Sequence, residues 1–197
     1  MLRIHALLIV ALCLAAANVR AQQSVQARVI SVTDGDTLTA VTAKKKRIKI
    51  RLAGIDAPEK RQPFGKAAKA ALSHRVIGRD VTLDIRKVVR NGPLVAKVQF
   101  DGRDVNLELL QLGLAWWYQT YADEQTVEDQ ADYAAAEQSA RESSVGLWMD
   151  FAPDPPWEWR KENTERAKGL TTTALPARRL PVAWKPDLLR LGANSLE

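Results

Sequence analysis

Residues 25–52 read VQARVISVTDGDTLTAVTAKKKRIKIRL, and the alternation along this stretch decides the fold. Val25, Ala27 and Val29 share one face of a first strand over residues 25–32, with Ser31 expected beside them. Asp34-Gly35-Asp36 is a turn signal, because Asp-Gly suits the positive φ angles of tight hairpins. Residues 37–41 form the return strand. Lys44-Lys45-Lys46-Arg47 then makes a basic loop, after which Ile48, Ile50 and Leu52 alternate with Lys49, Arg51 and Ala53. The third strand is therefore half-buried with a cationic outer face, and three strands in sequence predict a meander.

Downstream, Ala57-Pro58 stops the third strand and residues 64–77 have helical composition. Val81, Leu83 and Ile85 alternate again and pair with Leu94, Ala96, Val98 and Phe100 across Asn91-Gly92, a strong hairpin signal. Residues 104–114 predict a short helix with Val105, Leu109 and Leu112 on one side, and residues 128–143 an Ala-rich helix ending near Gly146. The order is three strands, helix, two strands, helix, helix. It predicts a mainly-β fold with α: a five-stranded barrel with three helices packed outside. Residues 155–160 predict a terminal strap, and residues 161–197, which lack sustained periodicity, a flexible tail. Pro181 and Pro186 argue against one continuous helix within it.

The 197 residues carry 29 basic and 23 acidic side chains, a net charge of +6, and 46% hydrophobic residues. That suffices for one folded domain and favours an anionic partner. One Cys excludes an internal disulfide framework, and two His make a His-rich metal site implausible. Arg3, the apolar run at residues 6–17 and the small residues around Ala21 have the layout of a signal peptide over residues 1–21. The run is too short to span a membrane, and Leu12 before Cys13 does not suit a lipoprotein signal. Cleavage after Ala21 removes Cys13, so the mature chain is thiol-free and suits a secreted or periplasmic location, with no membrane attachment.

Two acidic motifs carry the chemistry. Alone, Asp34-Gly35-Asp36-Thr37 reads as a turn, and Arg51-Leu52-Ala53-Gly54-Ile55-Asp56-Ala57-Pro58-Glu59 as a strand running into a solvated loop. Both border the same meander, so Asp36 and Asp56 are expected at one rim of the barrel. Two carboxylates with backbone carbonyls and water make an oxygen-only site suited to a hard cation such as calcium. Arg51, pointing out of its strand, suits a phosphate oxygen beside that cation. Glu59 is then the carboxylate left to orient or deprotonate a water.

These two motifs, the strand order and Gly146-Leu147-Trp148 together resemble the thermonuclease (staphylococcal nuclease-like) family, over about residues 24–160. The resemblance implies an OB-fold barrel and calcium-dependent cleavage of DNA and RNA phosphodiesters to products ending in 3′-phosphates, by a chain expected to be a monomer. Asp36 and Asp56 match the calcium-coordinating aspartates, and the Ala57 carbonyl a third ligand. Glu59 matches the general base, Arg51 one of two phosphate-binding arginines, Asp34 an acid behind the ligands, and Tyr121 a nucleotide-contacting tyrosine. Pro93 stands where the second arginine belongs. Arg90 lies on the other side of the turn and Lys97 further along the strand, so a slower enzyme is expected. The alternatives are a nucleic-acid-binding OB domain without useful turnover and a secreted module that kept only the barrel. Trp116, Trp117 and Tyr118 read equally as packing, Lys44 to Arg47 as a solvated charge run or a polyanion-attracting flank, and His74 as non-catalytic.

Overall fold

The structure, a computed structural model, describes residues 24–169. The expected leader at residues 1–21, and the expected tail from residue 170 on, lie outside the described residues. Strands run β1 (Ser24–Val32), β2 (Thr37–Thr42), β3 (Arg47–Leu52), β4 (Ile55–Asp56), β5 (Asp80–Val88), β6 (Leu94–Phe100), β7 (Arg103–Asp104) and β8 (Trp116–Trp117). Helices are α1 (Gly65–Val76), α2 (Val105–Gln111), α3 (Val127–Glu142) and α4 (Pro156–Ala167).

The five long strands lie in the order β3-β2-β1-β5-β6, and parallel pairs from Ile50↔Leu94 to Leu52↔Ala96 join β3 back to β6. This closes the five-stranded barrel that the alternation predicts, of the OB type that the resemblance implies. The path differs from a continuous meander: β5 adds to β1, not to β3, because α1 intervenes between β4 and β5. Register shifts between Val29 and Ser31, so Val32 and not Ser31 returns to the core. Such a bulge turns one strand face without breaking the barrel wall. Inside, Leu38, Ile50, Leu83 and Val98 from the strands meet Leu72 and Val76 of α1 and Leu110 of α2, all fully buried. Each such Leu, Ile or Val contributes roughly 1.5–3 kcal/mol relative to exposure.

The start of α2 ties β6 to the chain that follows β3. Asp104 caps the helix, accepting from the Asn106 and Leu107 N–H groups at 2.9 and 3.1 Å, while its other oxygen accepts from Tyr133 Oη at 2.9 Å. The buried Asn106 amide donates to the carbonyls of Ala53 at 2.9 Å and Ala96 at 3.3 Å, and its oxygen accepts from Val98 N–H at 3.1 Å. Asn106→Ala strands buried backbone groups on both segments, and a loss of about 2–3 kcal/mol in urea unfolding is expected.

A fourth helix corrects the expected tail. Residues 161–167 continue α4 instead of leaving the domain. Pro155 is extended and Pro156 occupies the first turn, where its missing N–H costs nothing, and Arg166 lies in the last turn, where its charge complements the helix dipole. The helix is polar on most sides, which is why no apolar periodicity announces it. Among the described residues no helix is long and apolar enough to cross a membrane.

Candidate active site

The site is assembled from the β1–β2 turn, the end of β3, β4 with the loop that follows it, and α4. Gly35 sets the first contact. A Cβ at this position would lie 2.6 Å from Ala68 Cβ and 2.7 Å from Ala57 Cβ, so only glycine lets the turn rest against α1 and the loop. That close approach buries Asp36 to 3% exposure. Asp34 supports the turn behind it, its Oδ1 lying 3.4 Å from the Asp36 N–H. Asp56 has 0% exposure because β4 pairs antiparallel with β8, Asp56 opposite Trp116.

Arg51 joins the two acids. Its Nη1 donates to Asp36 Oδ1 at 3.1 Å and its Nη2 to Asp56 Oδ1 at 2.7 Å. Asp36 Oδ1 also accepts from Thr37 Oγ1 at 2.9 Å, and Oδ2 from the Ala57 N–H at 3.0 Å. Thus Asp34, Asp36, Arg51, Asp56 and Ala57, chosen from two separate motifs, do converge. Ala57 meets Asp36 through its N–H. Burial pushes the Asp36 carboxyl up to about 7, against the pull of Arg51 and the Ala57 N–H, with Asp34 and Asp56 adding to the rise. Burial also opposes the Arg51 charge, but Asp36 and Asp56 outweigh it and hold the guanidinium protonated.

Glu59 stands at the same rim but is not the free carboxylate that the sequence suggests. Its Oε1 accepts from Arg160 Nη1 at 2.8 Å. Arg160 also grips Asp56, Nη2 to Oδ2 at 2.7 Å and Nη1 to Oδ1 at 3.2 Å. Gln62 fixes the loop: its Oε1 accepts from the Glu59 N–H at 3.0 Å, and its Nε2 donates to the Asp154 carbonyl at 2.6 Å. Neither Arg160 nor Gln62 stands out in the sequence as a site residue. The available signal for Arg160 was the pair of prolines ahead of Trp157 and Arg160, which starts a helix and puts those two residues on one side.

The aromatic residues form an arc leading away from Asp56. Trp116 packs edge-on against Trp148 with centroids 4.4 Å apart and against Trp157 at 5.6 Å. Trp157 lies 5.3 Å from Tyr118, and Tyr118 5.3 Å from Tyr121. Trp116 is core, whereas Tyr121 is 47% exposed and has the Lys87 ammonium 5.2 Å from its ring centre. Lys97 is not at the site: it pairs with Asp129 at 2.6 Å and Asp104 at 3.4 Å. Arg90 is exposed in the β5–β6 hairpin, Lys44 to Lys46 are exposed in the β2–β3 connection with Arg47 exposed at the start of β3, and His74 is exposed on α1.

Among the described residues no group of three His, Cys, Asp or Glu side chains is placed to hold a metal ion. What the site does offer is two buried carboxylates, both held by Arg51, and Asp56 by Arg160 as well, an oxygen-only donor set. Both acids are almost fully buried, Asp36 at 3% and Asp56 at 0% exposure. Both properties fit a hard cation completed by water and backbone oxygen.

The model of the family described as "Staphylococcal nuclease homologue" matches residues 49–150. An "Uncharacterized endonuclease" of Haemophilus influenzae is 38% identical over 135 residues, covering 68% of this chain and 72% of that protein. Another of that description, from Escherichia coli O157:H7, is 34% identical over 137 residues, covering 69% of this chain and 85% of its own length. The "Staphylococcal-like nuclease CAN1" of Arabidopsis thaliana is 38% identical over 116 residues, 59% of this chain but 34% of the plant protein. With a closed barrel, the two aspartates and the bridging arginine in place, the chain belongs to the staphylococcal nuclease family.

Proposed function

We propose that this protein is a calcium-dependent nuclease that hydrolyses phosphodiester bonds of DNA and RNA to 3′-phosphate products. The observation that carries the reading is the Arg51 bridge between buried Asp36 and Asp56, with Glu59 reaching the same cluster through Arg160. A water attacks phosphorus in line with the leaving 5′ oxygen. The new P–O bond forms as the P–O5′ bond breaks, and the leaving oxygen takes a proton from solvent. Glu59 orients the water and accepts its proton, a role that suits the most exposed carboxylate of the cluster. Arg51 donates to the phosphoryl oxygens where charge develops, and its fork suits two of them at once. Asp36 and Asp56, with water and the Ala57 carbonyl, would hold calcium, which would supply further positive charge beside the phosphoryl group. Tyr121, exposed at the end of the aromatic arc, offers a ring for a base or a hydroxyl for a phosphate.

Two protein carboxylates are few for an ion that takes 6–8 oxygens, so calcium affinity is expected in the weak extracellular class, about 10⁻⁴–10⁻³ M. Incubating the protein with single-stranded DNA across a calcium series and with chelator tests both points. Cleavage rising through that range and abolished by chelator is the expected result, and full activity in chelator removes the metal from the reading. The absence of an arginine at Pro93 favours a second reading, a binding domain with lost turnover, which the same assay separates as retention of DNA without cleavage. Export belongs to the proposal as well. Recovery of the protein outside the cytoplasm with its N-terminus at Gln22 is the expected outcome of cleavage after Ala21.

A further inference from the structure

Arg160 lies outside both acidic motifs, ten residues beyond the matched family segment, yet it makes three hydrogen bonds to two acids of the site, Asp56 and Glu59. Its placement is built rather than incidental. Trp157, three residues earlier on α4 and so on the same side, packs against Trp116 and Tyr118. Trp116 is the residue paired with Asp56 across β4 and β8. The Gln62 bond to the Asp154 carbonyl holds the approach to α4 against the Glu59 loop. Aromatic packing, strand pairing and a side-chain brace thus fix one guanidinium over one carboxylate.

Two guanidiniums consequently share Asp56 Oδ1, Arg51 at 2.7 Å and Arg160 at 3.2 Å. Both side chains remain partly open to solvent, 34% for Arg51 and 42% for Arg160, above carboxylates that are almost fully buried. Each fork has N–H groups beyond those committed to the acids. A dianionic transition state with charge spread over equatorial oxygens is best met by donors arriving from two directions. Among the described residues, the stand-ins expected from the sequence around position 93 do not pair with Asp36 or Asp56. Position 93 is proline, Lys97 is committed to Asp129 and Asp104, and Arg90 is exposed within the hairpin turn itself.

We propose that Arg160 is the second phosphate-binding arginine of this site, supplied by α4 instead of the β5–β6 hairpin. The proposal rests on the nuclease reading for its catalytic part. When a phosphate enters, Arg160 exchanges part of its contact with Asp56 and Glu59 for phosphoryl oxygens, releasing Glu59 to the attacking water. Nucleic acid binding and freeing of the base are then one event.

The test uses the full chain and four proteins: wild type, Arg160→Ala, Arg160→Lys, and Arg160→Ala combined with Pro93→Arg. Single-turnover cleavage of a short single-stranded oligodeoxynucleotide in calcium is measured beside its binding in chelator over a salt series. Near-ultraviolet circular dichroism of the Trp116, Trp148 and Trp157 cluster reports whether α4 stays docked. Arg160→Ala is expected to lose about 10²–10³ in rate, the effect of one oxyanion donor. Its binding should show a shallower salt dependence, by about 0.7 in log–log slope for one lost phosphate contact on a single strand. Arg160→Lys keeps the charge without the fork and should recover the slope but not the rate. Pro93→Arg should restore part of the rate, since Val95, two residues on, pairs with Arg51 across β3 and β6. An unchanged slope together with an unchanged or raised rate in Arg160→Ala overturns the proposal, and a raised rate marks Arg160 as a plug. Should Arg160→Ala lose its aromatic signal, Arg160→Lys decides, and wild-type rate in it overturns the catalytic role. A wild type that binds with the full slope yet cleaves nothing defeats the nuclease reading and leaves the phosphate contact standing.

Discussion

Glu59→Gln is expected to keep the fold, calcium binding and oligonucleotide binding while losing about 10²–10⁴ in single-turnover rate, the usual range for a general base. Structural reasons make this variant clean. The Gln62 brace holds the backbone N–H of residue 59, which the substitution leaves untouched. Glutamine also retains an oxygen to accept from Arg160, so the guanidinium stays over Asp56. What disappears is the negative charge and the basic lone pair. Titration of calcium by cleavage, and of oligonucleotide in chelator, separates the base from a binding role. Turnover equal to wild type means that another group or bulk solvent takes the proton.

Arg51→Ala is expected to damage both stability and chemistry. The side chain neutralises two buried acids, and removing one partner of a buried pair leaves charge without compensation. Because Arg51 is itself about one third exposed, the expected loss in chelator is about 3 kcal/mol, at the low end for such a change. The catalytic loss, about 10²–10³, is that of a donor at the developing phosphoryl charge. The pH dependence follows from Asp36. Its carboxyl titrates ordinarily at 3.8 but at about 7 when folded. Between those values the native protein binds more protons than the unfolded chain, so this group's contribution to stability falls as pH rises and levels off above about 7. The destabilisation by Arg51→Ala is therefore largest above pH 7 and shrinks on acidification. Urea unfolding at pH 5 and pH 8 checks the trend, and an equal loss at both values contradicts it.

Local alternation made the barrel legible. Val25 to Leu52 and Val81 to Phe100 each expose one face and bury the other, and Asn91-Gly92 marks its hairpin unaided. What alternation does not encode is which strand meets which. The β1–β5 and β3–β6 pairings depend on where α1 delivers the chain, and the bulge at Val29 to Ser31 depends on the barrel's curvature. At the site, Asp36, Arg51, Asp56 and Glu59 were legible because turn chemistry and a strand end place them within two short segments. Arg160 was not, since its approach to Asp56 spans 104 positions and is made by aromatic packing on α4. The same polar composition that solubilises α4 made residues 161–167 read as tail.

The Gln62 side chain is a mechanical coupling as well as a brace. One rigid amide holds the Glu59 backbone at one end and the Asp154 carbonyl at the other. Any excursion that lifts the start of α4 must either break that amide's bonds or drag the Glu59 loop with it. The exchange of a single backbone proton, the N–H of Glu59, consequently gauges the docking of a helix that begins nearly a hundred residues away in the chain.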